Sequence, residues 1–220
     1  MDTRKIIQNA SLEQLIRWWN GEEIPDWAAG SVLIREKIAP ALRSSAEGIA
    51  FLKSRTRSKD VKEKQRALLF LSHKEVYDDE VKRLLADTFR NADNFETQLA
   101  LAFKGFVLDC FVALDQYPFE RYEVKPLLVC ELKGTAASAM VYLSHAYPEE
   151  AVAILRAGLR SDNDYMQANA CTEAGFRNIR ELREEVAELR KSESWYIANS
   201  AKIGCEMFDL FEWERHRHRT

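Results

Sequence analysis

The chain has 220 residues, 46% of them hydrophobic and 30% charged, with a net charge of −3 and a pI near 5.9. That length and balance suit one folded core or a stack of several units, and exclude a disordered, low-hydrophobicity chain. A small net negative charge also argues against a protein whose whole surface neutralises nucleic-acid phosphates.

Helical periodicity occurs throughout and strand-like alternation almost nowhere. Ser11 is placed to cap a first helix, with Gln14 as its capping-box partner. Leu12, Leu15, Ile16 and Trp19 then form one face, and Asn20-Gly21 gives the stop. Asp26 is expected to cap a second helix carrying Trp27, Val32, Leu33 and Ile38, bent or ended at Pro40. A second pair runs from Ser45 to Glu75, its second helix capped by Asp60. Between Lys53 and Arg66 lie seven cations and two anions.

Asp78-Asp79-Glu80 suits the start of a further helix, with Val81, Leu84, Leu85 and Phe89 on its inner stripe. The next, from Phe95 to about Leu114, is apolar over a wide arc. An irregular connection follows, from Asp115 to Tyr122. Val124, Leu127, Leu128 and Leu132 then precede a stop at Gly134 and a helix with Ala136, Ala139 and Met140. A fifth pair sets Ala151, Ile154, Leu155 and Leu159 against Met166 and Ala170. A sixth sets Leu182, Val186 and Leu189 against Ile197, Ala201 and Cys205. The tail, 212–220, is highly charged and is expected to fray beyond Trp213.

The last three units repeat. Tyr165-Met166-Gln167-Ala168-Asn169-Ala170 returns 31 residues later as Tyr196-Ile197-Ala198-Asn199-Ser200-Ala201, and Ala139, Ala170 and Ala201 share one register. Two short helices joined by turns fill such a period, and their apolar stripes require neighbouring pairs to stack. The polar turn Ser161-Asp162-Asn163-Asp164, the alanine register and the Leu/Val stripes carry a resemblance to HEAT-like repeats, of the short variety found in phycocyanobilin-lyase-type proteins. The match covers 134–208 closely and 8–114 loosely. It departs from the family where Met166-Gln167 stands in place of a common Val-Arg, and where the usual early basic residue of the second helix is absent from the last three units. The resemblance implies an all-α right-handed superhelix of about six helix pairs, a single repeat domain over 1–220.

The same resemblance implies a non-enzymatic module that binds another protein on its concave face, an inhibitor- or immunity-type protein being one version. The non-core positions of the second helices would line that face: Tyr142 and His145, then Asn169 and Glu173, then Asn199 and Lys202, flanked by Ser138, Phe176 and Glu206. Each of these, taken alone, is equally explained as a solvated helix position. On this placement, Tyr142→Ala and Glu173→Lys would leave stability nearly unchanged. Arg55, Arg57, Lys59, Lys62 and Arg66 form a basic patch suited to an acidic partner or to nucleic acid, and equally to a turn kept soluble by charge.

The chain is also similar, in helix count and tryptophan content, to DNA-alkylation-repeat glycosylases. That resemblance would assign Trp18, Trp19 and Trp27 to base stacking and Asp26 to acid chemistry, against the acidic pI. No cofactor is expected. His216 and His218 with Glu212 have metal-ligand spacing but sit among three arginines, which repel cations. His73 and His145 have no Cys or Asp in a triad-like pattern. Cys110, Cys130, Cys171 and Cys205 lack any Cys-x-x-Cys spacing and read as reduced core thiols. With no signal-like segment and no run long enough to span a bilayer, a cytoplasmic location is expected.

Overall fold

The computed structural model describes residues 2–28, 34–73, 76, 78–91 and 97–217. Among them are thirteen α-helices and no strand, so the all-α expectation holds. No helix among these residues is long and apolar enough to cross a membrane. The chain forms two compact units, Met1–Asp87 and Thr88–Thr220.

The first unit contains α1 (Thr3–Asn9), α2 (Leu12–Asn20), α3 (Ile34–Arg43), α4 (Ala46–Arg55) and α5 (Val61–Leu71). The division between the units falls within α6 (Asp79–Asn91). Ser11 caps α2 by accepting from the Gln14 amide, and Gly21 ends it in the left-handed region at φ 73°. The Gln14 side chain does not close a capping box; it donates to Glu23 at 3.0 Å. Asp60 caps α5 through the Lys62 and Glu63 amides, as its position predicts. Asp26 instead opens a single 3-10 turn, Asp26–Ala28; the expected continuation through Val32 and Leu33 lies outside the described residues. Pro40 sits inside α3, which continues to Arg43 rather than ending there. The core of this unit gathers Trp18, Trp19, Ile38, Leu42, Leu52 and Leu68.

In the second unit α7 (Thr97–Ala113) is followed by a short α8 (Arg121–Val124) that runs into a 3-10 turn, Lys125–Val129. Then come α9 (Lys133–Ala146), α10 (Ala151–Leu159), α11 (Asp164–Phe176), α12 (Arg183–Leu189) and α13 (Trp195–Arg217). Gly134 does not stop a helix: it lies in the first turn of α9. Nor does α13 fray at Trp213, since it continues to Arg217. α9 packs on α7, α11 on α9 and α13 on α11, while α10 and α12 flank this series. Met140, Leu155, Ala170, Cys171, Val186 and Phe208 meet in its core. Ala139, Ala170 and Ala201 are all fully buried, each on a successive helix of the series.

α11 and α13 cross through glycine. A Cβ on Gly175 of α11 would lie 2.5 Å from the Gly204 Cα of α13, and one on Gly204 would lie 2.4 Å from the Cys171 carbonyl oxygen. Backbone meets backbone here, which only residues without a side chain permit.

Tyr142 is corrected by the structure. It is fully buried rather than exposed. Its position on α9 points into the irregular connection, where its hydroxyl accepts from the Phe119 N–H at 2.8 Å and donates to the Phe119 carbonyl at 3.3 Å. The Phe119 ring stacks on Phe89 with centroids 4.0 Å apart and meets Phe111 edge-on. Phe119 is thus a buried plug in the Asp115–Tyr122 connection, with its backbone N–H and carbonyl satisfied by the Tyr142 hydroxyl.

Candidate functional site

The starts of α9, α11 and α13 are locked to one another, and this gives the 31-residue period its physical content. Asn163 caps α11 by accepting from the Tyr165 and Met166 amides, and donates across to the Lys133 carbonyl at the start of α9 at 3.0 Å. Lys133 reaches the Asp164 carboxylate at 3.1 Å, across 31 positions. Tyr165 and Tyr196, again 31 apart, set their ring centroids 5.6 Å from each other and so align α11 with α13.

From these starts, each helix presents a stripe at helical spacing. On α11 it is Tyr165, Asn169, Glu173 and Phe176; on α13 it is Trp195, Asn199, Lys202 and Glu206. Asn169 is half-exposed and donates to the Tyr165 carbonyl at 2.8 Å. Asn199 is half-exposed, while Lys202 is exposed, 3.8 Å from Glu206. Four large aromatic residues of this face lie open to solvent: Trp195 is 76% exposed, Phe176 55%, Tyr165 46% and Tyr196 40%. Sequence reasoning used Tyr165 and Tyr196 as register marks and overlooked them as surface. Their place four or three residues before Asn169 and Asn199 was the available signal.

His145 and Glu173 form a separate, half-buried cluster. His145 Nε2 lies 2.7 Å from Glu173 Oε2, and His145 Nδ1 lies 3.4 Å from the Tyr117 hydroxyl. That hydroxyl donates to Asp115 at 2.8 Å, and Arg177 donates from α11's end to the Ser144 carbonyl and hydroxyl, each at 3.0 Å. Glu173 is therefore engaged with its neighbour, and Glu173→Lys would set a cation beside His145 instead of leaving the fold indifferent. Burial, followed by the hydrogen bond to the Asp115 carboxylate, pushes the Tyr117 phenol up to about 12. Burial, with Cys205 nearby, pushes the Cys171 thiol up to about 12.

Both raised groups favour the folded state while protonated. Their contribution is complete below the ordinary thiol and phenol range, and is lost as pH rises through about 12. Urea midpoints should fall progressively between about pH 9 and pH 12, and Cys171→Ala should flatten part of that slope. A midpoint constant over this window would contradict the burial of both groups.

The basic patch divides in two. Lys53 reaches Asp78 at 2.8 Å and Glu80 at 2.6 Å, and Arg55 lies 3.6 Å from Glu63. Arg57, Lys59, Lys62 and Arg66 have no carboxylate partner among the described residues, and the first three are exposed. Glu63 is a hub, accepting from the Trp19 indole at 3.1 Å and the Ser58 hydroxyl at 2.6 Å. Burial alone would raise its carboxyl. The hydrogen bonds from Ser58 and Trp19 and the charges of Arg55 and Arg35 outweigh that and hold it below the usual range.

The tryptophans assigned to base stacking are not available for it. Trp18 and Trp19 are buried; Trp27 meets Trp18 edge-on at 5.7 Å and carries the Lys37 ammonium over its ring. Asp26 is exposed on its 3-10 turn. Of the tail residues with metal-ligand spacing, Glu212 pairs with Arg183 and His218 lies outside the described residues. Cys110 and Cys171 are buried, Cys130 and Cys205 half-buried, and all four are free thiols. Comparison with protein-family models, with curated proteins and with solved structures returns no match.

Proposed function

We propose that this protein is a non-enzymatic binding module, a HEAT-like stack of helix pairs whose partner is another protein held on the face formed by α11 and α13. The reading is supported chiefly by the exposed aromatic group Tyr165, Tyr196 and Trp195 at the aligned helix starts. Large aromatic rings left in water are costly, and where clustered they mark surfaces that become covered. Tyrosine and tryptophan also carry a large share of the energy of protein interfaces. Asn169, Asn199 and Lys202 beside them supply the polar rim that such contacts need. His145 and Glu173 bond to each other and support the face from beneath rather than offering free groups.

A photo-crosslinking residue at position 199 should capture one protein from extracts of the native source. The same residue in place of exposed Lys191, outside the aromatic group, should not capture it, and Trp195→Ala with Tyr165→Ala should abolish the capture at 199. Equal capture from both positions, or capture unaffected by loss of the aromatics, overturns the reading.

A further inference from the structure

We propose that the groove between α1 and α3 is a binding site for a monomeric anionic amphiphile, a single alkyl chain ending in a carboxylate. The site lies wholly in the first unit and is independent of the face on α11 and α13.

A cavity of about 570 Å³ opens between these helices, within the size range of small-molecule sites. Its apolar lining comes from Ile7, Pro40 and Ala41. Proline is informative here. Inside α3 its ring adds apolar surface to this wall without a polar atom of its side chain. The only charged residues lining the cavity are Arg4 and Lys37. Both are exposed, and neither has a carboxylate partner among the described residues. The Lys37 ammonium also lies 5.5 Å from the centroid of the Trp27 ring. An anion reaching these two cations would gain charge-assisted hydrogen bonds that no carboxylate among the described residues now supplies.

The site also has a direction. A second cavity, of about 290 Å³, shares Ile7 and Ala41 with the first and continues past Leu12 and Leu15. Glu47 lines this second cavity and not the first. With both cations lining the first cavity and a carboxylate lining only the second, an anionic head is favoured in the first, its alkyl chain against the apolar residues that the two share. A cationic head is repelled at Arg4 and Lys37. The apolar lining amounts to three residues, Ile7 among them buried, rather than a broad outer face, and α1 is only 7 residues long, so a single chain fits better than a bilayer surface.

Calorimetric titration of the full chain with dodecanoate, kept below its micelle concentration, tests this directly. The expected result is saturable binding of one molecule per chain. Dodecyltrimethylammonium should bind at least about tenfold more weakly, and acetate should not bind, because the head alone lacks the apolar contribution. Arg4→Glu and Lys37→Glu, both at exposed positions, should each weaken dodecanoate by about tenfold. Ala41→Trp should block the passage; its melting temperature is read alongside, and the two charge variants decide the matter if it does not fold. Absence of saturable binding, equal affinity for the cationic amphiphile, or unchanged affinity in both charge variants overturns the proposal. So does binding to phosphatidylglycerol vesicles without binding of monomeric dodecanoate.

Discussion

Tyr142→Ala should remove about 3–5 kcal/mol of stability, the range observed when a large buried aromatic is truncated and a cavity remains. Three losses coincide. The ring is fully buried, so its contacts with Phe119 and Tyr117 disappear. The Phe119 N–H loses its acceptor, and the connection carrying Phe119 loses its anchor to α9. Tyr142→Phe separates these effects. It keeps the ring and leaves the buried amide unpaired, which costs about 1–3 kcal/mol by itself. Urea denaturation of the two variants checks both figures. A wild-type midpoint for Tyr142→Ala would mean that the residue faces solvent after all.

The second large effect belongs to the glycine crossing. Gly204→Ala and Gly175→Ala should each destabilise by at least about 1–3 kcal/mol, although alanine is ordinarily the better helix former. The added carbon would meet a carbonyl oxygen at 2.4 Å in one case and a backbone Cα at 2.5 Å in the other. Backbone cannot rotate aside as a side chain does, so α11 and α13 must separate. Ala170→Leu should also overpack, but its neighbours include the flexible Met140 side chain, which can shift. Thermal melts of the three variants should therefore place the glycine substitutions at or below Ala170→Leu. Gly175→Ala or Gly204→Ala with a raised melting temperature would show that the crossing is looser than these distances.

Two of the helix caps were legible, while Gly134 as a stop and the Gln14 capping box were not what the chain does. Ser11 and Asp60 stand at helix starts because a short polar side chain before an apolar stripe has one good use there. The alanine register was legible because burial of Ala139, Ala170 and Ala201 recurs at a fixed interval. The Gly175–Gly204 contact was not, because two glycines 29 apart fall outside that interval and look like ordinary helix weaknesses. Tyr142 was misplaced for a related reason. The repeat assigns its position to an outward face, but the connection from Asp115 to Tyr122 folds over that face and covers it. Periodicity describes what a helix presents to its regular neighbours and carries no information about an irregular segment laid across them. Of the candidate surface residues, Asn169, Asn199 and Lys202 reach solvent, whereas Tyr165 and Tyr196 beside them were read only as markers of the repeat.

The Phe119 plug has a consequence for how the chain tolerates changes in length. Short polar connections such as Ser192–Ser194 lie between helices whose ends are held by other contacts, and an added residue there has room to bulge into solvent. The Asp115–Tyr122 segment has no such slack. Phe119 is held through its backbone by Tyr142 and through its ring by Phe89 and Phe111, so one inserted or deleted residue on either side pulls the ring from its socket. What looks like the loosest stretch of the second unit is the place where its spacing is least negotiable.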